Sequence, residues 1–542
     1  MKVVQSQSGG ELVVEALMAQ GVDRITCVPG ESFLPVLDAV VDRDIELIAC
    51  RHEAGAANMA VASAKLNGKV GVVAVSRGPG AMHAAIAVHT AQQDALPLIV
   101  LVGQVALRDR GRGGFQEVDF QQAFGGIAKW VASLDTLERI PETVARAVRV
   151  ATTGRPGPVV LEMPEDILAC VGDAMVPPRL APVSSSPSST QQREISQLLT
   201  EASSPILLLG RSEWNSETAA VAVDFARHFQ LPIIAGFRCQ DYIDNRSDVY
   251  AGHLGFNADE AMLRRLEQSD LILSVGGHFG DVETQGYSIL SPKNTRRVIH
   301  LAATEGDLDR YLPATVAVIG SPLEFFRGVM GSSDAVRGRE FWVQQLREEQ
   351  TVRSTPTVPD DVLAAIVAWI DAHAEPDTVV ANGAGNYAIW VHKYFRYKQY
   401  GTQLAPASGA MGFGLPAGIA AAHGNPHRPV YVFAGDGCFT MALPELSLLV
   451  ESDLNLTIIV VNNGAYGTIR MHQDRAYPGR ESGTALKNPN FSALAQAYGL
   501  QAQRVSTVDE FIAFQQSATG PRLIEVCTAG GPLVPSQLPA DG

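Results

Sequence analysis

The sequence predicts an α/β protein of three doubly wound domains with mainly parallel sheets. Three observations carry that expectation. Strand-like apolar runs alternate with helix-like stretches along almost the whole chain, the pattern of parallel strands joined by crossover helices. A length of 542 residues calls for about three domains of ordinary size. Two polar, proline-containing stretches, 176–190 (VPPRLAPVSSSPSST) and 331–361, divide the chain into blocks of that size. The expected domains are 1–175, 191–335 and 356–535.

Hydrophobic residues make up 46% of the chain, so each block can build a large core. The formal net charge of −15 argues against nucleic acid or an anionic membrane as a partner. It also implies that a bound phosphate is neutralised locally, by metal and backbone dipoles. Six cysteines, at 27, 50, 170, 239, 438 and 527, lie far apart and form no CxxC pair. That fits reduced thiols in a cytosolic protein. The start has no charged leader with an apolar core, and no run approaches about 18 apolar residues. Neither a signal peptide nor a membrane span is expected.

In the first block, residues 10–20 are amphipathic and helical, and 24–28 form a short strand. Pro29-Gly30 turns the chain into a helix at 33–41. Residues 46–50 read as a strand and 53–66 as a helix of small residues. A strand at 70–76 ends in Arg77-Gly78-Pro79-Gly80, followed by a helix at 81–93 and a strand at 97–102. The second block repeats the alternation, with strands at 205–210, 231–235, 271–275 and 297–301, and a charged helix at 339–353 follows. In the third block a strand from Val379 runs through Asn382-Gly383-Ala384-Gly385-Asn386-Tyr387 into a helix. That geometry presents backbone N–H groups to an anion.

The stretch 430–470 organises the rest. Apolar residues 430–434 end in Gly435-Asp436-Gly437. A helical stretch carries Leu443, Leu446, Leu448, Leu449 and Val450. A second apolar run, 456–461, ends in Asn462-Asn463. Strand, helix and strand at this length make a parallel crossover. Asp436 and Asn463 then both lie past strand carboxyl ends, where open α/β sheets bind ligands. A carboxylate and an amide oxygen are hard donors suited to Mg²⁺, which takes its remaining ligands from water and phosphate. Gly435 and Gly437 let the backbone approach an anion closely, and a helix N-terminus favours negative charge. The residues alone describe a Mg²⁺–diphosphate site.

GDG at 435–437 with Asn462-Asn463 at this spacing resembles the signature of the thiamine diphosphate (ThDP) enzymes. Over the whole chain the sequence is similar to the acetolactate synthase and benzoylformate decarboxylase group. The resemblance implies a pyrimidine-binding, a central Rossmann-like and a diphosphate-binding domain, in that order. It implies that Asp436, Asn463 and the carbonyl of Ala465 hold Mg²⁺. It places Ala384, Gly385, Asn386 and Tyr387, with Gly435, Gly437, Cys438, Tyr466 and Gly467, around the cofactor. In SGAMGFG (408–414), Met411 is the apolar wedge that bends the cofactor, with the Gly409 carbonyl and the Met411 N–H on its pyrimidine.

Glu53 opens a helix, where a carboxylate favours the macrodipole by a few tenths to about 1 kcal/mol. Its setting, RHEAGAANMA (51–60), also resembles the family's catalytic glutamate segment. A carboxyl group sharing a proton with N1′ of the aminopyrimidine favours the imino tautomer, whose nitrogen can take the C2 proton. Pro29, Ser76 and His83 match positions near the pyrimidine, His83 standing where relatives often have asparagine. Phe115-Gln116 matches the pair lining the acetolactate synthase substrate channel, and Lys129 matches a lysine of that subgroup. His278, in SVGGHFGD, stands where those enzymes have an arginine for the acceptor's carboxylate. His472 stands where they have a tryptophan that sizes the acceptor pocket.

The implied function is ThDP- and Mg²⁺-dependent decarboxylation of a 2-keto acid, with carboligation of the enamine to a second carbonyl compound. Histidine cannot make the bidentate fork of arginine. A non-ligating decarboxylase, or a hydroxyketone lyase of the benzaldehyde lyase kind, is therefore the alternative. A catalytically silent cofactor-binding relative is the reading from a different class, and the intact Glu53 stands against it. Whether FAD binds the central domain stays open. YAGHLGFN (250–257) resembles a flavin-contacting loop, but Ala302-Ala303 lack the carboxylate a ribose hydroxyl needs, which weighs slightly against it. In the family the active site forms between the first block of one subunit and the third of another. That implies a homodimer or homotetramer in the cytoplasm, acting on small molecules.

Overall fold

A computed structural model of the chain describes residues 6–181, 183–291, 296–356, 361–450, 454–528 and 534–535. Part of the second expected linker, 357–360, and residues 529–533 of the third expected domain lie outside them. Three six-stranded parallel sheets form the framework, as the alternation of elements predicts. The chain divides into two compact units. One is Met1–Val183 with Ile419–Gly424 and Ala442–Ser452; the other is Ser184–Gly418 with Asn425–Met441 and Asp453–Gly542.

The sheet of the first unit runs Glu46–Ala49, Arg24–Cys27, Gly71–Val75, Leu98–Gln104, Pro158–Pro164, Trp130–Ser133. Gly71–Val75, Leu98–Gln104 and Pro158–Pro164 are buried along their whole length, as strands covered on both faces must be. The winding reverses between Arg24–Cys27 and Gly71–Val75, so ligands are expected at the carboxyl ends of that pair. The helix Glu53–Asn67 covers the same strands with Gly55, Ala56, Ala57 and Ala60 buried. Its small residues allow a close approach: a Cβ on Gly71 would collide with the Ala60 carbonyl. The Thr26 hydroxyl donates to the Ala56 carbonyl at 2.7 Å. Gly68, at φ +62°, ends the helix in the left-handed region.

The second unit holds two sheets. One runs Tyr250–His253, Ile233–Ala235, Pro205–Leu209, Leu271–Val275, Arg297–Ala302, Val316–Ile319. The other runs Gln403–Leu404, Val379–Asn382, Val430–Gly435, Leu456–Asn462, Arg522–Cys527, Gln501–Val505. A buried carboxylate joins their segments: Asp241 accepts from the backbone N–H groups of Gly401, Thr402 and Gln403, each at 3.1 Å. Val430–Gly435 and Leu456–Asn462 are parallel neighbours, as the crossover pattern requires.

The connection between those two strands differs from the single expected helix. A short helix, Asp436–Thr440, is followed by a 3-10 turn, Leu443–Leu446, and a last turn, Ser447–Val450. The cause is Pro444. It has no N–H to donate, and its ring would clash with the carbonyl four residues back if the helix continued. Elsewhere the expected elements form with shifted ends; the helix of 33–41, for example, begins as a 3-10 turn, Glu31–Phe33, before Leu34–Val41.

Candidate active site

The winding of the third sheet reverses between Val379–Asn382 and Val430–Gly435. Beside their carboxyl ends is a cavity of about 450 Å³. Every cofactor-side residue that the sequence placed in the third block, from Ala384 to Gly467, lines it.

Asp436 is 2% exposed. Its Oδ1 accepts from the Gly437 N–H at 2.9 Å. Its Oδ2 accepts from the Gly464 N–H at 2.9 Å and from Asn488 Nδ2 at 2.6 Å. Burial pushes the carboxyl above its ordinary proton affinity, and these hydrogen bonds pull it back. Among the described residues, the groups that donate hydrogen bonds to it are neutral. A buried carboxylate so placed suits a cation beside it. Asn463 Oδ1 accepts from the Ala465 N–H at 3.0 Å, and the Ala465 carbonyl accepts from the Gly467 N–H at 2.9 Å. Each of these oxygens has a second lone pair. The donor set is all oxygen, and it fits Mg²⁺.

The loops around the cavity are fixed by their own side chains. The Tyr387 ring lies against Gly385 and Gly435, where a Cβ would meet it. Gly385 sits at φ +146°, where a side chain is strained in any case. The Tyr387 hydroxyl accepts from the Gly383 N–H at 3.1 Å and donates toward Cys438 Sγ at 3.5 Å. The Gly412 N–H donates to the same sulfur at 3.2 Å, which ties down the Gly409–Met411 loop. Met411 packs on the core of this domain from the cavity side. Asn386 is held by Thr468, whose hydroxyl accepts from the Asn386 N–H at 3.0 Å and donates to its Oδ1 at 2.8 Å.

Asn488 escaped the sequence reading. Besides Asp436 it donates to Asn462 Oδ1 at 2.9 Å, and Asn462 in turn donates to the buried Glu525 at 2.7 Å. If Asp436 holds Mg²⁺, replacing Asn488 by alanine is expected to lower ThDP affinity in Mg²⁺ by about 10- to 100-fold, the usual effect of losing a group that orients a metal ligand. Titration calorimetry with ThDP at saturating Mg²⁺ measures this. A pH effect follows from Asp436 itself. As a ligand to Mg²⁺ it would have to be ionised, and burial raises its proton affinity. Mg²⁺-dependent ThDP binding is therefore expected to weaken on acidification at a higher pH than for an exposed aspartate, as a pH series of the same titration would report.

In the first unit, Glu53 opens its helix and is 15% exposed. His52 is the N-cap, its Nδ1 accepting from the Ala54 N–H at 3.1 Å. His83 Nδ1 lies 2.8 Å from Glu53 Oε2, and the two imidazoles stack with centroids 4.6 Å apart. Ser76 joins them: a Cβ on Gly30, the residue after Pro29, would press on Ser76, and one on Gly80 would touch both Ser76 and Glu53. Pro29, Ser76, His83 and Glu53 therefore gather at the reversal of winding. Gln116 has φ +61°, and its carbonyl accepts from the Gly78 N–H at 3.0 Å. Lys129 lies elsewhere in its bonding. Its Nζ donates to the carbonyls of Val150 and Thr153 at 2.5 and 2.8 Å, which gives it a structural task at the end of the helix Ile140–Thr152.

The two acceptor-side histidines do not line the 450 Å³ cavity. His278 follows Leu271–Val275 after two glycines and is half-buried; His472 is exposed on the helix Gly467–Ala476. His253, Gly255, Phe256 and Asn257, from the flavin-like stretch, line a separate cavity of about 90 Å³.

Models of the thiamine pyrophosphate enzymes match the chain three times. The N-terminal TPP binding domain matches residues 7–123, the central domain 193–329, and the C-terminal TPP binding domain 383–526. The chain is 29% identical over 531 residues to the acetolactate synthase isozyme 2 large subunit of Escherichia coli (strain K12), covering 96% of this chain and 95% of that one. It is 28% identical over 560 residues to the acetolactate synthase large subunit of Lactococcus lactis subsp. lactis, covering 100% and 96%. It is 27% identical over 551 residues to the mitochondrial acetolactate synthase catalytic subunit of Saccharomyces cerevisiae, covering 96% and 80%. The three domains follow one another in that family's order, and the chain belongs to the thiamine pyrophosphate enzymes as an acetolactate synthase-like member.

Proposed function

We propose that this enzyme depends on ThDP and Mg²⁺, decarboxylates a 2-keto acid, and joins the retained acyl carbon to a second carbonyl compound. The observation that carries the reading is Asp436. It is a buried carboxylate whose hydrogen-bond donors among the described residues are neutral, and Asn463 and Ala465 line the same cavity. Asp436, Asn463 and the Ala465 carbonyl would hold Mg²⁺, and the loop 384–387 the diphosphate. When bound, ThDP would supply a nucleophilic carbon and a sink for the electron pair that loss of CO₂ leaves.

The chain's own residues do the rest. Glu53 would hold and move a proton at its carboxylate, with His83 Nδ1 on Oε2 fixing the orientation of that group. Met411 would floor the cavity with an apolar side chain. Gln116 is the proposed substrate-side group. The family resemblance supports domains at 1–175, 191–335 and 356–535, a homodimer or homotetramer, and a cytoplasmic location. Simple decarboxylation, or a hydroxyketone lyase activity, is the alternative, because His278 and His472 stand where the resemblance implies an arginine and a tryptophan that serve the acceptor. Incubation with pyruvate and bulkier 2-keto acids, with CO₂ recorded and products weighed by mass spectrometry, decides. Acetolactate or a related 2-hydroxy-3-keto acid supports carboligation to a keto acid; CO₂ with aldehyde alone moves the function to the decarboxylase.

A further inference from the structure

We propose that Glu445 is a positioning residue for Glu53, a buried carboxylate that grips the turn from which Glu53 is presented. Glu445 lies on the 3-10 turn Leu443–Leu446, in the piece of the 436–456 crossover that belongs to the first unit. Its side chain is 0% exposed. Its Oε1 accepts from the His52 N–H at 2.9 Å and its Oε2 from the Arg51 N–H at 3.3 Å. Arg51 and His52 are the last residues before the helix Glu53–Asn67. Both carboxylate oxygens are therefore spent on the turn that sets where Glu53 begins.

The helix is shaped to admit this carboxylate. Gly55 lies in its first turn, and a Cβ there would collide with Glu445 Oε1, Cδ and Cγ. Only glycine lets Glu445 reach under the turn. The position is electrostatically apt, because a helix N-terminus favours negative charge. Burial pushes the Glu445 carboxyl up, the Arg51 and His52 amides and the Arg51 charge pull it back, and the charge of Glu53 raises it by a smaller amount. The two carboxylates thus sense each other, although only Glu53 carries His83. An acidic side chain so deeply buried needs such donors. The hydrogen bonds cross 393 and 394 residues of chain.

The inference rests on the reading of Glu53 as the proton-handling carboxylate, and its test separates the two. In Glu445→Gln the amide NH₂ would face one backbone N–H, donor against donor. Hydrogen exchange in the cofactor-free protein is expected to rise about 10-fold or more at the Arg51 and His52 amides. In the loaded enzyme kcat should fall about 10- to 100-fold, with KM and ThDP affinity within about 2-fold. Gly55→Ala should mimic this, and the double variant should cost little more than either single one. Unchanged exchange at Arg51 and His52 overturns the proposal. So does a loss confined to ThDP affinity, which would make Glu445 a support of the diphosphate loop. Faster exchange with unchanged kcat overturns the link to Glu53 while leaving the grip intact, and Glu53→Gln then shows whether the reading of Glu53 has failed.

Discussion

Replacing Glu53 by glutamine is expected to lower turnover by about 10²- to 10⁴-fold, the range spanned by loss of a positioned acid–base group. Glutamine keeps the size of the side chain and still offers an oxygen to His83 Nδ1, which lies 2.8 Å from Glu53 Oε2. It cannot hold and return a proton. The helix start should survive, because His52 caps it through Ala54 and Glu445 holds the preceding turn. ThDP affinity should therefore change by no more than about 3-fold, the signature of an interaction made mainly in the transition state. Parallel calorimetry and CO₂ release measure the split. Undiminished turnover would remove Glu53 from the mechanism.

Replacing Asp436 by alanine is expected to act in the opposite way. Removing a metal ligand should cost at least the 10- to 100-fold seen for groups one step further out, so ThDP affinity in Mg²⁺ should fall by about 100-fold or more. The difference between Mg²⁺ and a chelator should vanish. The Gly464 N–H and Asn488 Nδ2 lose one acceptor and keep Asn462 Oδ1, which should also lower stability by about 1 kcal/mol. Thermal unfolding without cofactor isolates that second effect. ThDP affinity equal to that of the native protein would contradict the metal site.

The sheets were legible in the sequence because parallel strands covered on both faces read as unbroken apolar runs. Gly71–Val75 and Leu98–Gln104 are of that kind. The crevice at the third sheet was legible for a related reason. Asp436 and Asn463 follow directly on such runs, so topology alone brings them to one crevice. The break after Asp436 was harder to see, since the leucines keep a helical spacing through Pro444 while the backbone cannot. Glu53 carries no local pattern beyond a helix-start carboxylate, and only resemblance singled it out. Asn488 and Glu445 carry none either. Their partners lie 52 residues away in one case and 393 and 394 in the other, and only the tertiary fold reveals such contacts. Lys129 is a further case: the resemblance only matched it to a lysine of the subgroup, and the fold shows its Nζ on the carbonyls at a helix end.

If Asp436, Asn463 and Ala465 hold Mg²⁺ as proposed, ThDP binding to this chain depends on the metal. The most direct test titrates ThDP into metal-free protein, with Mg²⁺ and with chelator, and then adds pyruvate to the loaded sample. Saturable binding is expected with Mg²⁺, binding at least about 100-fold weaker without it, and CO₂ release only from the loaded protein. ThDP binding that is indifferent to Mg²⁺, or loaded protein that releases no CO₂ from pyruvate or any other 2-keto acid, would contradict it.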